Sequence, residues 1–170
     1  MRHVALLIAI VGLFAVPASL ASASGTPTRA PVPDSANTGT FPAGLACDFT
    51  LHYEPVVNNE YTLTFPAEPN GDVVQIVSGY LLERFTNLDT GKSIVLNTSA
   101  KATLVFHADG SVTIDASGPQ PLAFLAGFGG GTTPSVYINY GHAVLNISPI
   151  GVLTLVSQTG TQFDICAALS

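Results

Sequence analysis

The sequence predicts an all-β domain of about ten strands, an antiparallel meander that closes into a barrel or stacks as a sandwich. Apolar and polar residues alternate with a period of two through most of the chain beyond residue 45, which is the pattern of half-buried strands. Gly, Pro and Asp-Gly turn signals separate these runs at short intervals. Few stretches repeat apolar residues at helical spacing. We expect closure to remove the exposed edges of the sheet.

The N-terminus predicts export. The pair Arg2-His3 precedes an uncharged run over residues 4–16, and Ala21-Ser22-Ala23 supplies a small-residue cleavage site. These are the parts of a secretory signal peptide, so we predict a signal peptide over residues 1–23 and a secreted, extracellular protein. A membrane-spanning helix needs roughly 20 apolar residues, so we expect no transmembrane anchor.

Residues 24–40 are rich in Pro, Ser, Thr and Ala and hold almost no large apolar side chain. Such a segment cannot bury enough surface to offset the entropy lost when it becomes ordered. We therefore predict a flexible arm over residues 24–40 and a single domain over residues 41–170, which is a usual domain size.

The two cysteines, Cys47 and Cys166, predict a disulfide. They lie at opposite ends of the predicted domain, and the secretory route is oxidising. We expect the bridge to join the first and last strands. It would close a loop of about 120 residues, for which the chain-entropy argument gives a stabilisation of roughly 4 to 5 kcal/mol.

The early strands follow from alternation and from one glycine. The first strand is predicted over residues 45–53, with inward side chains at Cys47, Phe49, Leu51 and Tyr53. In the next strand, Thr62 and Thr64 are expected to face solvent between inward apolar neighbours. A longer run over residues 73–86 is interrupted by Gly79, which indicates a bulge or a sharp bend.

Two short motifs predict hairpins. Asp109-Gly110 lies between alternating runs, and this pair is a strong hairpin signal. DTGKS, residues 89–93, ends like a phosphate-binding loop, but that loop requires a glycine where Thr86 stands and a helix after the lysine. Its flanks alternate like strands, so we predict a hairpin and no nucleotide site. The glycine-rich segment 127–133 is predicted to be a mobile loop, with a lid over a ligand site as the alternative.

The C-terminal part predicts four more strands, over residues 136–140, 143–147, 152–157 and 162–166. Glycine-containing breaks at 141, 149–151 and 159–160 separate them. Residues 122–126 and 166–169 fit either a strand or a helix.

The charge of the chain excludes two classes of partner. The formal net charge is −6, and loss of Arg2 with the signal peptide leaves four basic residues against 11 acidic ones. Such a surface repels phosphate. We therefore expect neither nucleic acid nor an anionic membrane surface as a partner.

No residue pattern establishes a catalytic, metal or cofactor site. The G-x-S-x-G motif of common serine hydrolases is missing, and His52 with Glu54 lacks a third metal ligand nearby in sequence. His107 and Asp115 are predicted on one outer face at near-opposite positions, where a carboxylate could orient an imidazole as a base. The other weak candidates for a ligand site are His142, Tyr137 and Tyr140.

The segments FPAGLACDF, FTNLDTGKSIVLNTS, HADGSVTI and FDICAAL, together with the signal peptide, resemble those of small uncharacterised secreted all-β proteins of high-GC Gram-positive, actinobacteria-like bacteria. The resemblance covers most of residues 41–170. It implies a shared fold and compartment. It carries over no catalytic residue, because its motifs are turns, strands and two cysteines.

These features lead to three hypotheses of function. We expect a secreted, disulfide-linked, non-catalytic interaction or envelope-associated module that acts on an extracellular protein or small molecule. The alternatives are a carrier of a small apolar ligand and a cofactor-free enzyme such as an isomerase. Because inward apolar side chains crowd the interior, we predict no cavity of roughly 300 Å³ or more. A cavity of that size lined by His107 or His142 would favour the alternatives.

Overall fold

A computed structural model describes residues 25–125 and 134–170, and it confirms an all-β fold built from two antiparallel sheets. The predicted signal peptide (1–23) and glycine-rich loop (127–133) lie outside the described residues. The strands are β1 (Thr28–Pro31), β2 (Gly39–Phe41), β3 (Leu51–Asn58), β4 (Tyr61–Thr64), β5 (Val73–Ser78), β6 (Leu81–Asn87), β7 (Ser93–Asn97), β8 (Lys101–Phe106), β9 (Val112–Phe124), β10 (Ser135–Ile147) and β11 (Leu153–Asp164). A 3₁₀ helix (Asp34–Asn37) lies between β1 and β2, and a short helix α1 (Ile165–Leu169) follows β11.

The two sheets stack as a sandwich. The larger sheet has the order β1-β4-β5-β8-β9-β10-β11, and the smaller has the order β2-β3-β6-β7. Of the two predicted arrangements, a barrel or a sandwich, the structure has the sandwich, because the chain passes back and forth between two separate sheets and does not close into one. Each sheet therefore keeps two edge strands.

The predicted flexible arm is wrong from Thr28 onward. β1 pairs with β4 and β2 pairs with β3, so neighbouring strands satisfy the backbone hydrogen bonds of this segment. Val32 supplies an apolar anchor and is 5% exposed within the core. Composition alone missed this because it does not show which strands offer a free edge to an apolar-poor segment.

The first predicted strand begins too early. β3 starts at Leu51, and residues 42–50 form turns and bends. Ala46 and Cys47 are both buried, which a strand with alternating faces does not allow. The disulfide between Cys47 and Cys166 is confirmed, but it joins the loop before β3 to α1 and does not join two strands.

β4 buries the opposite face from the one predicted. Thr62 is buried, whereas Tyr61 and Leu63 are partly exposed. The guanidinium of Arg29, on β1, lies 4.0 Å from the centre of the Tyr61 ring and covers it. A cation stacked on the ring stabilises an aromatic side chain on the outer face.

A corner at Gly79 joins the two sheets. β3 leads into β4 and β5 leads into β6, and the chain changes sheet at both steps. The Asn59 amide donates to the Tyr80 carbonyl at 2.8 Å, so hydrogen bonding continues around the corner. Gly79 has a φ of +140°, and a Cβ there would clash with the backbone at Asn59. The predicted bend at Gly79 is confirmed.

A second bend crosses three strands at a glycine row, formed by Gly118, Gly141 and Gly160, which are paired in register on β9, β10 and β11. The predicted breaks at Gly141 and Gly160 are wrong, because β10 and β11 each continue through their glycine as one strand. On one side of the row β10 buries Ala143 and Leu145, and on the other side it buries Val136 and Ile138 in a different cluster. The row thus lets one strand bury opposite faces in its two halves.

Both predicted hairpins are confirmed. β6 and β7 pair across residues 88–92, and Gly91 has a φ of +78°. The Asn87 side chain accepts hydrogen bonds from the amides of Asp89 and Thr90, so DTGKS is held as a turn. β8 and β9 pair across the turn that contains Gly110. Residues 122–124 belong to β9, and residues 166–169 belong to α1.

Candidate functional site

The predicted pairing of His107 with Asp115 is wrong. Asp115 lies opposite Thr103 in the β8–β9 ladder, whereas His107 lies beyond the last paired residue of β8. The Asp115 carboxylate instead meets His142, with 2.9 Å between Oδ1 and Nε2. The register of the hairpin therefore divides the predicted pair between two separate His–Asp contacts.

His107 is the centre of a three-residue relay. Its Nδ1 lies 3.1 Å from Asp72 Oδ2, and its Nε2 lies 3.0 Å from Thr113 Oγ1. The Ala108 amide donates to Asp72 Oδ1 at 3.2 Å. Burial acts to raise the pKa of Asp72, but the hydrogen bonds from His107 and Ala108 and the charge of His107 lower it overall. The relay ties the turn before β5 to the β8–β9 hairpin.

The relay lines an open surface concavity of about 650 Å³. The prediction of no cavity of roughly 300 Å³ or more is therefore wrong, because it considered only the space between the sheets. A concavity of this size lined by His107 counts in favour of the ligand-binding and enzyme alternatives. Most of the lining residues are of polar type, and the full set is Asp72, His107, Ala108, Asp109, Ser111, Val112, Thr113, Asn146, Ile147, Ser148 and Thr154. Hydroxyl, amide and carboxylate groups suit a hydrophilic ligand better than the small apolar ligand of the carrier hypothesis.

The space between the sheets holds a smaller, mostly apolar cavity of about 100 Å³. Four polar side chains on its wall, Glu60, Glu83, Thr98 and Gln120, are buried. Burial raises the pKa of Glu83 to about 7, opposed by a hydrogen bond with Thr98 and assisted by the charge of Glu60. Burial also raises the pKa of Glu60, against a hydrogen bond from Asn37. Sequence reasoning missed this cluster, although Glu83 shares the inward alternation of Leu81 and Phe85 in β6.

The two tyrosine candidates lie apart from the relay in the fold. Tyr137 stacks on Phe124 with ring centres 5.9 Å apart, and its hydroxyl donates to Gln158 Oε1 at 3.1 Å. Burial raises the pKa of Tyr137, against the hydrogen bond with Gln158. Tyr140 is exposed on β10. Tyr137 therefore has a packing role.

His52 and Glu54 lie side by side, with 3.8 Å between His52 Nε2 and Glu54 Oε2, and each has a further partner. The Arg84 guanidinium donates to Glu54 Oε1 at 2.8 Å, and Thr40 Oγ1 lies 2.9 Å from His52 Nδ1. Over residues 25–125 and 134–170, no group of three or more His, Cys, Asp or Glu side chains is placed to hold a metal ion. In the same residues, no helix has both the length and the apolar character needed to cross a membrane.

The outer edge of β11 is the longest free strand edge in the part of the chain that the structure describes. β11 pairs with β10 along its inner edge, and the strand order of the larger sheet ends there. From Leu153 to Phe163 the strand has no charged residue and no proline. Val156 is 56% exposed and Ile150, in the preceding turn, is 86% exposed. Unpaired backbone groups beside exposed apolar side chains are a template for pairing with another chain.

Comparison of the chain with family models, with curated proteins and with solved structures finds no match.

Glu83 should make the protein less stable as pH rises. Its pKa in the folded protein is about 7, above the ordinary value of 4.5, so the unfolded chain releases a proton that the folded protein retains between these values. The stability that Glu83 contributes is fully present below pH 4.5. We expect the free energy of unfolding to have fallen by about 3 kcal/mol once the pH has risen past 7. Urea unfolding at several pH values measures this loss.

The matched variants for this prediction are Glu83→Gln and Glu68→Gln. Glu83→Gln should flatten the pH profile and stabilise the protein at pH 8, because it removes the buried charge. Glu68 is exposed, so Glu68→Gln should leave the profile unchanged. A wild-type profile that is flat from pH 4.5 to pH 8 would contradict the prediction.

Proposed function

We propose that the protein is exported and acts as a non-catalytic interaction module, which binds an extended, uncharged segment of an extracellular partner protein as an added strand along β11. The free edge of β11 is the observation that carries the proposal. Export is supported by the Cys47–Cys166 disulfide, because structural disulfides persist mainly in oxidising compartments. The N-terminal pattern of a signal peptide supports it as well.

The other sheet edges offer less to a partner. β1 has four residues and includes Pro31, which has no amide to donate, and the charged Arg29. β2 has three residues and β7 has five. β11 has 12 residues. Strand addition gains affinity from consecutive main-chain hydrogen bonds, so β11 is the edge that favours it most.

The chemistry of the edge defines the partner segment. Val156 is an extra residue at a bulge in β11, because Leu145 pairs with Leu155 and Val144 with Ser157. A bulge disturbs the ladder locally, so the segment from Ser157 to Phe163 is the main docking edge. Because this segment is uncharged, a charge opposite it would lose solvation without an opposite charge nearby. The net charge of −6 further disfavours acidic partners.

A designed peptide tests the proposal. The probe alternates Val and Thr over about ten residues, with a lysine at each end for solubility. We expect its binding to slow hydrogen exchange at the β11 amides that do not bond to β10. A peptide of the same sequence with alternate backbone amides methylated should not bind, because it cannot complete the ladder.

Two lysine variants locate the binding edge. Thr161→Lys, on the exposed edge of β11, should weaken peptide binding at least about tenfold, since edge lysines oppose strand pairing. Val95→Lys places the same change on β7, where Val95 is 47% exposed, and should leave the affinity unchanged. Equal weakening by both variants would overturn the proposal. If the wild-type protein dimerises and Thr161→Lys abolishes the dimer, the partner on this edge is a second copy of the chain and not another protein.

The His107 relay favours a second candidate function, acyl transfer. A hydroxyl, an imidazole and a carboxylate at distances of 3.0 and 3.1 Å form the sequence of nucleophile, base and orienting group used by covalent hydrolases. His107 would take the Thr113 proton as the oxygen attacks an ester carbonyl, and would return the proton to the departing alcohol. Water activated by His107 would then hydrolyse the acyl-threonine to release the acid and restore Thr113. Hydrolysis of p-nitrophenyl acetate by the wild-type protein should then fall at least about 100-fold in both Thr113→Val and Asp72→Asn. A rate unchanged by Thr113→Val would exclude this candidate.

A further inference from the structure

We propose that the cavity between the two sheets binds a small primary alkylammonium ion of roughly four non-hydrogen atoms. The carboxyl groups of Glu60 and Glu83 and the amide group of Gln120 line one mostly apolar cavity, and they supply polar partners for the head of such a ligand. This inference is independent of β11, because the cavity lies inside the sandwich and not at its edge.

The wall of the cavity has buried polar groups without protein partners among the described residues. Glu83 is 3% exposed and its Oε2 has no hydrogen-bond partner among the described residues. Gln120 is 4% exposed, and neither its Oε1 nor its Nε2 has a partner among them. Buried polar atoms are nearly always hydrogen-bonded. Two side chains with unpartnered atoms on one cavity therefore indicate that a group inside the cavity supplies the missing hydrogen bonds.

The carboxyl groups on the cavity wall favour a cation over a neutral molecule. Glu60 is near enough for its charge to raise the pKa of Glu83, and Asn37 holds the Glu60 carboxylate at 2.9 Å. Two carboxylates in an apolar site cannot both ionise readily unless a positive charge compensates them. An ammonium head has three N–H donors, which match Glu60, Glu83 and the Gln120 carbonyl. The acidic chain also attracts cations at longer range.

The walls of the cavity select an organic cation. Val77, Leu81, Ile114 and Leu145 are among its apolar lining residues. Three lining aromatic side chains form a stacked series, with ring centres 5.5 Å apart for Phe41 and Tyr53 and 6.5 Å apart for Tyr53 and Phe85. Aromatic faces attract ammonium groups, and apolar walls accept an alkyl chain. A hydrated metal ion fits neither feature.

The volume limits the ligand to a short chain. An enclosed site of about 150 Å³ holds benzene, with six carbon atoms, so the 100 Å³ available here suits a chain such as n-propylammonium. Its neutral match is 1-propanol, which has the same number of non-hydrogen atoms and no charge. The two probes separate recognition of the cation from simple filling of an apolar space.

Calorimetric titration of the purified protein at pH 8 tests the inference. We expect n-propylammonium to bind with a dissociation constant of about 0.1 to 5 mM, within the range open to so small a ligand. Binding of 1-propanol should be at least about tenfold weaker. Glu83→Gln should weaken propylammonium at least about tenfold and leave 1-propanol unchanged, because it removes the charge and keeps the shape. Glu68→Gln, at an exposed carboxylate, should change neither affinity.

Three outcomes would overturn the inference. One is equal affinity for the two probes, and another is equal weakening by Glu83→Gln and Glu68→Gln. The third is the lack of saturable binding of propylammonium to folded protein up to about 50 mM, which would leave the cavity to water. If Glu83→Gln does not fold, Gln120→Met removes the second polar group at similar length, and an unchanged propylammonium affinity in that variant contradicts the inference.

Discussion

Removal of the Cys47–Cys166 bridge should lower the free energy of unfolding by about 4 to 5 kcal/mol. The bridge spans a sequence separation of 119 residues, so it restricts the unfolded chain strongly. Cys47 also packs in the cluster that contains Ile165 and Leu169. Urea unfolding of the oxidised protein and of the Cys47→Ala/Cys166→Ala variant measures the difference.

A reducing agent provides the matched control. It should destabilise the wild-type protein by a similar amount and have no effect on the double alanine variant, which has no bridge to reduce. A loss below about 1 kcal/mol in both comparisons would show that the loop between the cysteines is already constrained in the unfolded state.

Gly160→Ala should destabilise the protein by about 4 kcal/mol. Gly160 has a φ of +100°, which an alanine adopts only with strain, and its Cβ would clash with the Tyr140 carbonyl oxygen on β10. The atoms that this Cβ would meet, the Tyr140 carbonyl oxygen and the Gly141 Cα, belong to the backbone of a paired strand. Neither atom can move aside without breaking the ladder. The midpoint of thermal or urea unfolding measures the effect.

Two other glycines separate the two causes of this effect. Gly91 has a φ of +78° and open space around it, so Gly91→Ala should cost only about 1 kcal/mol from backbone strain. Gly141 has no positive φ, but a Cβ there would clash with the Thr159 carbonyl. Gly141→Ala therefore isolates the steric part of the destabilisation from the backbone strain. Equal effects of Gly160→Ala and Gly91→Ala would mean that the glycine row does not need close strand approach.

Local patterns in the sequence predicted much of the fold. The Asp109-Gly110 and DTGKS hairpins, the bend at Gly79 and the cysteine pair each depend on residues close in sequence or on chemistry alone. Gly141 and Gly160 misled the prediction because a glycine that ends a strand and a glycine that bends one look alike in sequence. Only the pairing of three glycines across neighbouring strands distinguishes the two cases.

The candidate sites were harder to predict because they depend on register and on long-range pairing. His107 meets Asp72 from a turn 35 residues away, and no periodicity relates these two positions. Glu83 was visible as an inward position of its strand, but its neighbour Glu60 reaches the same cavity only through the corner between the sheets. The free edge of β11 follows from strand order, which alternation does not determine.

The position of the disulfide also determines which part of the fold bears mechanical load. A force that pulls residues 25 and 170 apart passes through the bridge, because Cys47 and Cys166 are covalently joined. Tension therefore acts on β1, the 3₁₀ helix, β2 and the end of α1, while β3 to β11 lie within the closed loop and are shielded. Stretching should peel β1 from β4 and β2 from β3, and the bridge should then limit any further extension.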